Sequence, residues 1–173
     1  LLVVIVALTT NGDSSDPSPN ITCSGGSLTW TPAVNVGNPS SWSIGIRIFT
    51  APVTTGASMQ VTVGCGGANI YAYFVSVHEY TGYNVGSPTG ATGTNSSVGT
   101  SGLGSLTLSG APSASSEVLA ALYKDMSTGS TSTRVAPGSG WTEIYDETDT
   151  AGDENREVEY RGGSTSTSVQ WAE

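Results

Sequence analysis

Ile44-Gly45-Ile46-Arg47-Ile48 decides the fold, because large apolar residues alternate strictly with a glycine and a charge. Period-two alternation puts the three isoleucines on one side of an extended strand, and Gly45 and Arg47 on the other. The strand predicted over 41–50 is therefore half buried. Met59, Val61 and Val63 alternate with Gln60 and Thr62 in the same way, and Cys65 falls in phase with the apolar set.

Working outward, apolar runs of this kind recur between clusters of Gly, Pro, Asn and Ser, and no window sustains the 3.6-residue period of an amphipathic helix. Strands are expected over 1–9, 20–24, 27–35, 41–50, 58–65, 69–81, 103–109, 116–125, 141–147, 156–161 and 167–172. The pattern is that of an all-β, antiparallel β-sandwich, jelly-roll-like, with about ten strands. At 173 residues the chain has the size of one domain, so a single sandwich over 1–173 is expected. Its core is predicted to hold Ile44, Ile46, Ile48, Met59, Val61, Val63, Val158, Tyr160, Val169 and Trp171.

Three stretches need a separate reading. Leu1-Leu2-Val3-Val4-Ile5-Val6-Ala7-Leu8 is apolar throughout but too short for a membrane-spanning helix, which needs about 20 residues. It reads as a buried strand, and a domain that opens inside its own core implies residues upstream of Leu1. Residues 69–80 place large apolar groups on both faces (Ile70, Tyr71, Tyr73, Phe74, Val75, Val77), which predicts a central strand with one face in the core and the other under a loop. From Gly82 to Gly104 the only larger apolar residues, Tyr83 apart, are Val85, Val98 and Leu103. That segment reads as a long polar loop or edge ribbon, packed on the sandwich or on an adjacent subunit.

Charge narrows the partners. The formal net charge is −9, and the five basic residues, Arg47, Lys124, Arg134, Arg156 and Arg161, are scattered. Such a chain repels phosphate backbones and has no basic cluster for an anionic bilayer, so neither nucleic acid nor a membrane is an expected partner.

Candidate chemistry is sparse. His78 is the only histidine, which rules out sites built on several histidines and leaves any Ser-His-Asp triad resting on one residue; no Gly-x-Ser-x-Gly accompanies it. Eight of the fourteen acids lie between Glu143 and Glu159. Asp146, Asp149 and Asp153 are the candidate calcium ligands among them, since calcium takes several oxygens, but the alternating acids of a calcium loop are missing. A solvated hairpin turning over 146–153, with its acids outward, explains the cluster better. A paired-carboxylate hydrolase could be built from the same acids, Glu143 and Glu147 among them, but spacing along the chain does not give the carboxylate separation such chemistry needs. Cys23 and Cys65 form the one possible disulfide, closing a loop of about 40 residues and worth about 3 to 4 kcal/mol; two unpaired buried thiols packing as small hydrophobes are the alternative. Trp30 and Trp42, at strand edges beside polar loops, are the candidate glycan-stacking rings, with core packing as the other reading. No cofactor is expected.

The order of features resembles a known group. An apolar opening strand, a Gly-Gly-Ser-Leu-Thr-Trp hairpin at 25–30, an Ile-rich strand ending in Ala51-Pro52, a strand ending near Glu79-Tyr80-Thr81-Gly82 and a terminal Ser-Val-Gln-Trp at 168–171 are similar to the β-sandwich domains of phage minor tail, tail-fibre and head-decoration proteins and of related bacterial surface proteins. The resemblance implies a non-catalytic structural or adhesive domain on the virion surface. Its partners would be other virion proteins, copies of itself and host-surface glycans. The alternatives are a carbohydrate-binding module or an extracellular filament subunit. The group shares no active-site signature, so no residue role carries over.

Overall fold

The computed structural model describes residues 1–12, 15–39, 42–56, 58–67, 69–96, 104–125, 135–149 and 154–172. Of Trp42, Asp125, Thr148 and Asp149 it describes the backbone alone. Among these residues there are twelve strands, one short 3-10 turn at Ser18–Asn20 and no α-helix. All strand pairings are antiparallel, and the chain is an all-β sandwich structure as the alternation predicts. It divides into two compact units, 1–90 and 91–173, where the length alone suggested one.

The first unit contains β1 (Leu2–Asn11), β2 (Thr22–Gly25), β3 (Thr31–Asn38), β4 (Trp42–Ala51), β5 (Val61–Gly64) and β6 (Ile70–Glu79). A four-stranded sheet runs β3-β4-β1-β6, and β2 and β5 form a two-stranded sheet. β1 is central because its apolar residues can be covered on both faces: all but its last residue are buried. Its even-numbered side chains Val4, Val6 and Leu8 pack with Ile21 and Phe49, and Cys23, Trp30, Val61, Val63 and Cys65 lean on that cluster from the smaller sheet. Gly45, paired with Leu8, lets the 3-10 turn approach the same face. A Cβ there would lie 2.8 Å from the backbone nitrogen of Ser18. Arg47, on this face too, donates hydrogen bonds to the carbonyls of Pro19 (2.9 Å) and Ile21 (2.6 Å) and lies over the Phe49 ring.

The second unit contains β7 (Ser105–Thr107), β8 (Glu117–Asp125), β9 (Ala136–Pro137), β10 (Thr142–Asp149), β11 (Glu154–Gly162) and β12 (Ser168–Ala172). Two three-stranded sheets, β10-β11-β8 and β7-β12-β9, enclose Leu108, Ala120, Leu122, Val135, Trp141, Val169 and Trp171.

Of the predicted core, Val158, Val169 and Trp171 are buried, whereas Ile44, Ile46, Ile48, Met59, Val61, Val63 and Tyr160 are half-buried. The isoleucines lie on the side of β4 opposite Phe49, away from β2 and β5. The described part of the polar segment from Gly82 forms no strand and is tied down by isolated hydrogen bonds. In the first unit the Tyr83 hydroxyl donates to the Val53 carbonyl and accepts from its N–H (both 3.1 Å). In the second, Thr92 and Ser109 are joined by a backbone bond of 2.8 Å, and Asn95 donates to the Ser105 carbonyl at 2.7 Å.

Candidate functional site: the outer strand of the first unit

β6 was expected to be covered on both faces. It is instead the last strand of its sheet, and its odd-numbered face is bare: Tyr73 is 67% exposed, Val75 40% and Val77 53%, with Tyr71 and Ile70 also exposed. The register explains this. Tyr73, Val75 and Val77 pair with Leu8, Val6 and Val4 and so continue the same face, but the β2–β5 sheet and the 3-10 turn stand over β1 and β4 and stop short of β6. Phe74, on the reverse face, is buried.

The backbone is open on the same residues. Leu1 and Tyr80 exchange two hydrogen bonds of 2.8 Å, Leu1 N to Tyr80 O and Tyr80 N to Leu1 O. In an antiparallel ladder such a pair fixes the phase, because successive residues point their N–H and C=O groups to opposite sides. Even-numbered residues of β6 therefore address β1, and Tyr73, Val75, Val77 and Glu79 present theirs to the outer edge. Among the described residues no strand pairs with that edge. The sheet's other outer strand, β3, carries Pro32 and a bulge between Pro32 and Val34, features that blunt an edge.

The residues singled out in the sequence are not brought together. Asp153 and the side chain of Asp149 lie outside the described residues, and Asp146 stands on β10 with no acidic cluster of three or more around it; no metal-ligating group of that size occurs among the described residues. Cys23 and Cys65 are unbonded and half-buried. Cys23 pairs with Val63, so Cys65 sits diagonally across from it on the same face, where directly facing Cβ atoms approach within bonding range but diagonal ones are normally about 7 to 8 Å apart. Burial raises the pKa of both thiols. Trp30, the candidate stacking ring with core packing as its other reading, is half-buried against the first-unit cluster, and its indole N–H donates to the Gly25 carbonyl at 3.1 Å. The side chain of Trp42 lies outside the described residues.

His78 is half-buried, and its Nε2 is 2.7 Å from the Ser76 hydroxyl. Burial lowers its pKa. These two residues are neighbours on one face of one strand, and no acid hydrogen-bonds the imidazole among the described residues, so a triad is not formed.

The acidic cluster forms a hairpin, as expected, but its acids do not all face water. β11 is the central strand of its sheet, and Glu154, Glu157 and Glu159 are buried. Paired with Leu122 and Ala120, Glu157 and Glu159 share the face that bears the apolar core. Glu159 accepts a hydrogen bond from the Gly138 N–H at 3.0 Å, and Arg161 stacks 4.5 Å from the Trp141 ring centre nearby. Desolvation pushes the Glu159 carboxyl up to about 7, against the pull of Gly138 and Arg161. On the reverse face, Arg156 bridges Glu147 and Glu154 and lies over the Tyr123 ring. Burial opposes its charge, but Glu154 and Tyr123 outweigh it and raise the pKa. Tyr145 donates to Glu147; burial first, and then that bond, push its phenol up to about 12. Glu147 thus accepts hydrogen bonds from both a guanidinium and a phenol, and Glu143 is exposed.

No known family, curated protein or solved structure matches the chain. The exposed face of β6 is the one described feature that combines bare apolar area with unsatisfied backbone groups. Chemically it can add a strand and bury rings.

Proposed function

We propose that this chain is a non-catalytic structural and adhesive module, carried on the outside of a phage virion as a capsid decoration or as a tail or fibre component. The observation that supports the reading is the outer strand β6. An exposed apolar face on a strand with an open edge is the kind of surface that proteins otherwise blunt with charge, proline or cover, and that is kept where a partner occupies it. A carbohydrate-binding role is favoured by one specific feature of the same strand, the two exposed phenol rings of Tyr71 and Tyr73, which are amphipathic platforms of the kind that stack on sugars. Mass spectrometry and antibody-gold labelling of purified virions test the first reading: the chain is expected on the particle exterior, and its absence from particles overturns it. A glycan array tests the second, with binding expected to fall on Tyr73→Ala.

A further inference from the structure

We infer that β6 pairs with β6 of a second copy, antiparallel and about a two-fold axis at Val75, joining two four-stranded sheets into one; the inference deepens the structural reading above by naming the partner of that surface.

The backbone decides the kind of partner. A row of N–H and C=O groups from Tyr73, Val75, Val77 and Glu79 along an open edge is satisfied by an extended strand and by little else. The side chains decide its chemistry. His78 and Glu79 are the only charged or charge-bearing residues of the strand apart from the tyrosines, so β6 offers neither a basic nor an acidic partner anything to read, and the complementary strand must be neutral and apolar on the same phase. β6 itself meets that requirement.

In the register centred on Val75, Val75 of one copy faces Val75 of the other and Tyr73 faces Val77 twice. Aromatic and β-branched residues are among the favourable cross-strand combinations. Every facing pair on this side joins two residues whose hydrogen-bonding groups point outward, so the ladder is complete. Antiparallel pairing also sends the two Glu79 residues to opposite ends of the strand pair, which keeps a chain of net charge −9 from concentrating repulsion at the axis. The polar segment after Gly82 does not occupy this edge in its first part, since Tyr83 is bonded to Val53. Finally, Pro32 and the adjoining bulge blunt β3 at the sheet's other margin, so the pairing closes at two copies and does not propagate into a filament.

Sedimentation equilibrium of the full chain tests this, beside the variants Val75→Lys and Val77→Lys, which place a charge on an exposed face without entering the core. The wild type should show twice the 17.5 kDa chain mass, and each variant should weaken association at least tenfold while keeping its circular dichroism spectrum and melting temperature. A wild type that stays monomeric up to about 1 mM overturns the inference. So does a dimer that both lysine variants preserve, or a monomer that binds glycans through Tyr73. These outcomes are separate from the virion test: a dimeric chain missing from particles defeats the location and leaves the pairing, and a monomeric chain found on particles does the reverse.

Discussion

β1 and β11 hold the same place in their respective units, each inside a sheet with strands hydrogen-bonded on both sides; β1 is buried in all but its last residue and β11 from Glu154 to Glu159. Their compositions are opposite. β1 reads Leu-Val-Val-Ile-Val-Ala-Leu, and β11 reads Glu-Asn-Arg-Glu-Val-Glu-Tyr. Topology therefore decides what is covered, and composition decides what covering costs. Burying β1 removes apolar area from water, worth about 25 cal/mol per Å². Burying β11 strips carboxylates of their hydration, a penalty of several kcal/mol per ion unless a partner or a proton compensates. The second unit answers in both ways. Arg156 compensates Glu154 by charge, and Glu159 is brought within reach of protonation near neutral pH.

The comparison breaks most sharply at Arg156. Replacing it with Met removes the guanidinium that is paired with the buried Glu154, and removal of one member of a buried pair costs about 3 to 5 kcal/mol. Urea unfolding of Arg156→Met should show a loss of this size, and adding Glu154→Leu should recover most of it. If the single variant is as stable as the wild type, β11 is not the desolvated strand described here.

On the apolar side the matching test is Leu8→Ala. Leu8 is fully buried among Val6, Ile21 and Phe49, and such truncations cost about 2 to 5 kcal/mol according to how far the cavity collapses. The loss should be independent of pH. That independence is the contrast with β11.

Glu159→Gln should be stabilising, by an amount that grows from about pH 4.5 and is complete above about pH 7. The folded-state pKa is raised from the ordinary 4.5 to about 7, so the unfolded chain gives up its proton first. Below pH 4.5 both states are protonated and the wild type carries no penalty; between about 4.5 and 7 it loses stability as pH rises, and above 7 the loss is complete. Glutamine keeps an acceptor for the Gly138 N–H and removes the ionisation. A gain of about 1 to 3 kcal/mol at pH 8 that vanishes at pH 4, measured by paired denaturation curves, is the expected result. Equal stabilities at the two pH values would show that the carboxyl reaches solvent.

These contrasts also mark what could be read in the residues. The all-β antiparallel class and the buried, apolar β1 were legible because Ile44, Ile46 and Ile48 alternate, and because Leu1 to Leu8 has no polar residue to turn outward. The acidic hairpin was legible too, but its burial was not. Acids predict exposure, and the cations that hold them inside, Arg156 and Arg161, come from the same strand and announce nothing by spacing. β6 was misread for a related reason: large residues on both faces imply a cover on both faces. The signal to the contrary was present in the next twenty residues, which contain too little apolar area to provide one. The boundary of the two units at position 90 falls inside the polar segment from Gly82 to Gly104, which reads equally as a loop within one domain and as a connection between two.

The smallest effect lies where the apolar unit uses a single neutral polar bond. Trp30 rests on the cluster around Leu8 and Ile21, and its indole N–H reaches back to the carbonyl of Gly25. That carbonyl opens a tight reversal in which Gly25, Gly26 and Ser27 all have positive φ, at 117°, 64° and 54°. Phenylalanine at position 30 keeps a ring on the cluster and deletes the donor. A neutral hydrogen bond contributes about 0.5 to 1.5 kcal/mol net, so Trp30→Phe should lower stability by about that amount, with no dependence on pH. Because the Gly25 carbonyl is near the surface, water can replace the lost donor, which holds the cost well below that of uncovering Glu154. Thermal denaturation should therefore rank Trp30→Phe far below Arg156→Met. A comparable loss for the two would mean that neutral and charged polar groups are buried at similar cost in this protein, and the contrast between β1 and β11 would then rest on packing alone.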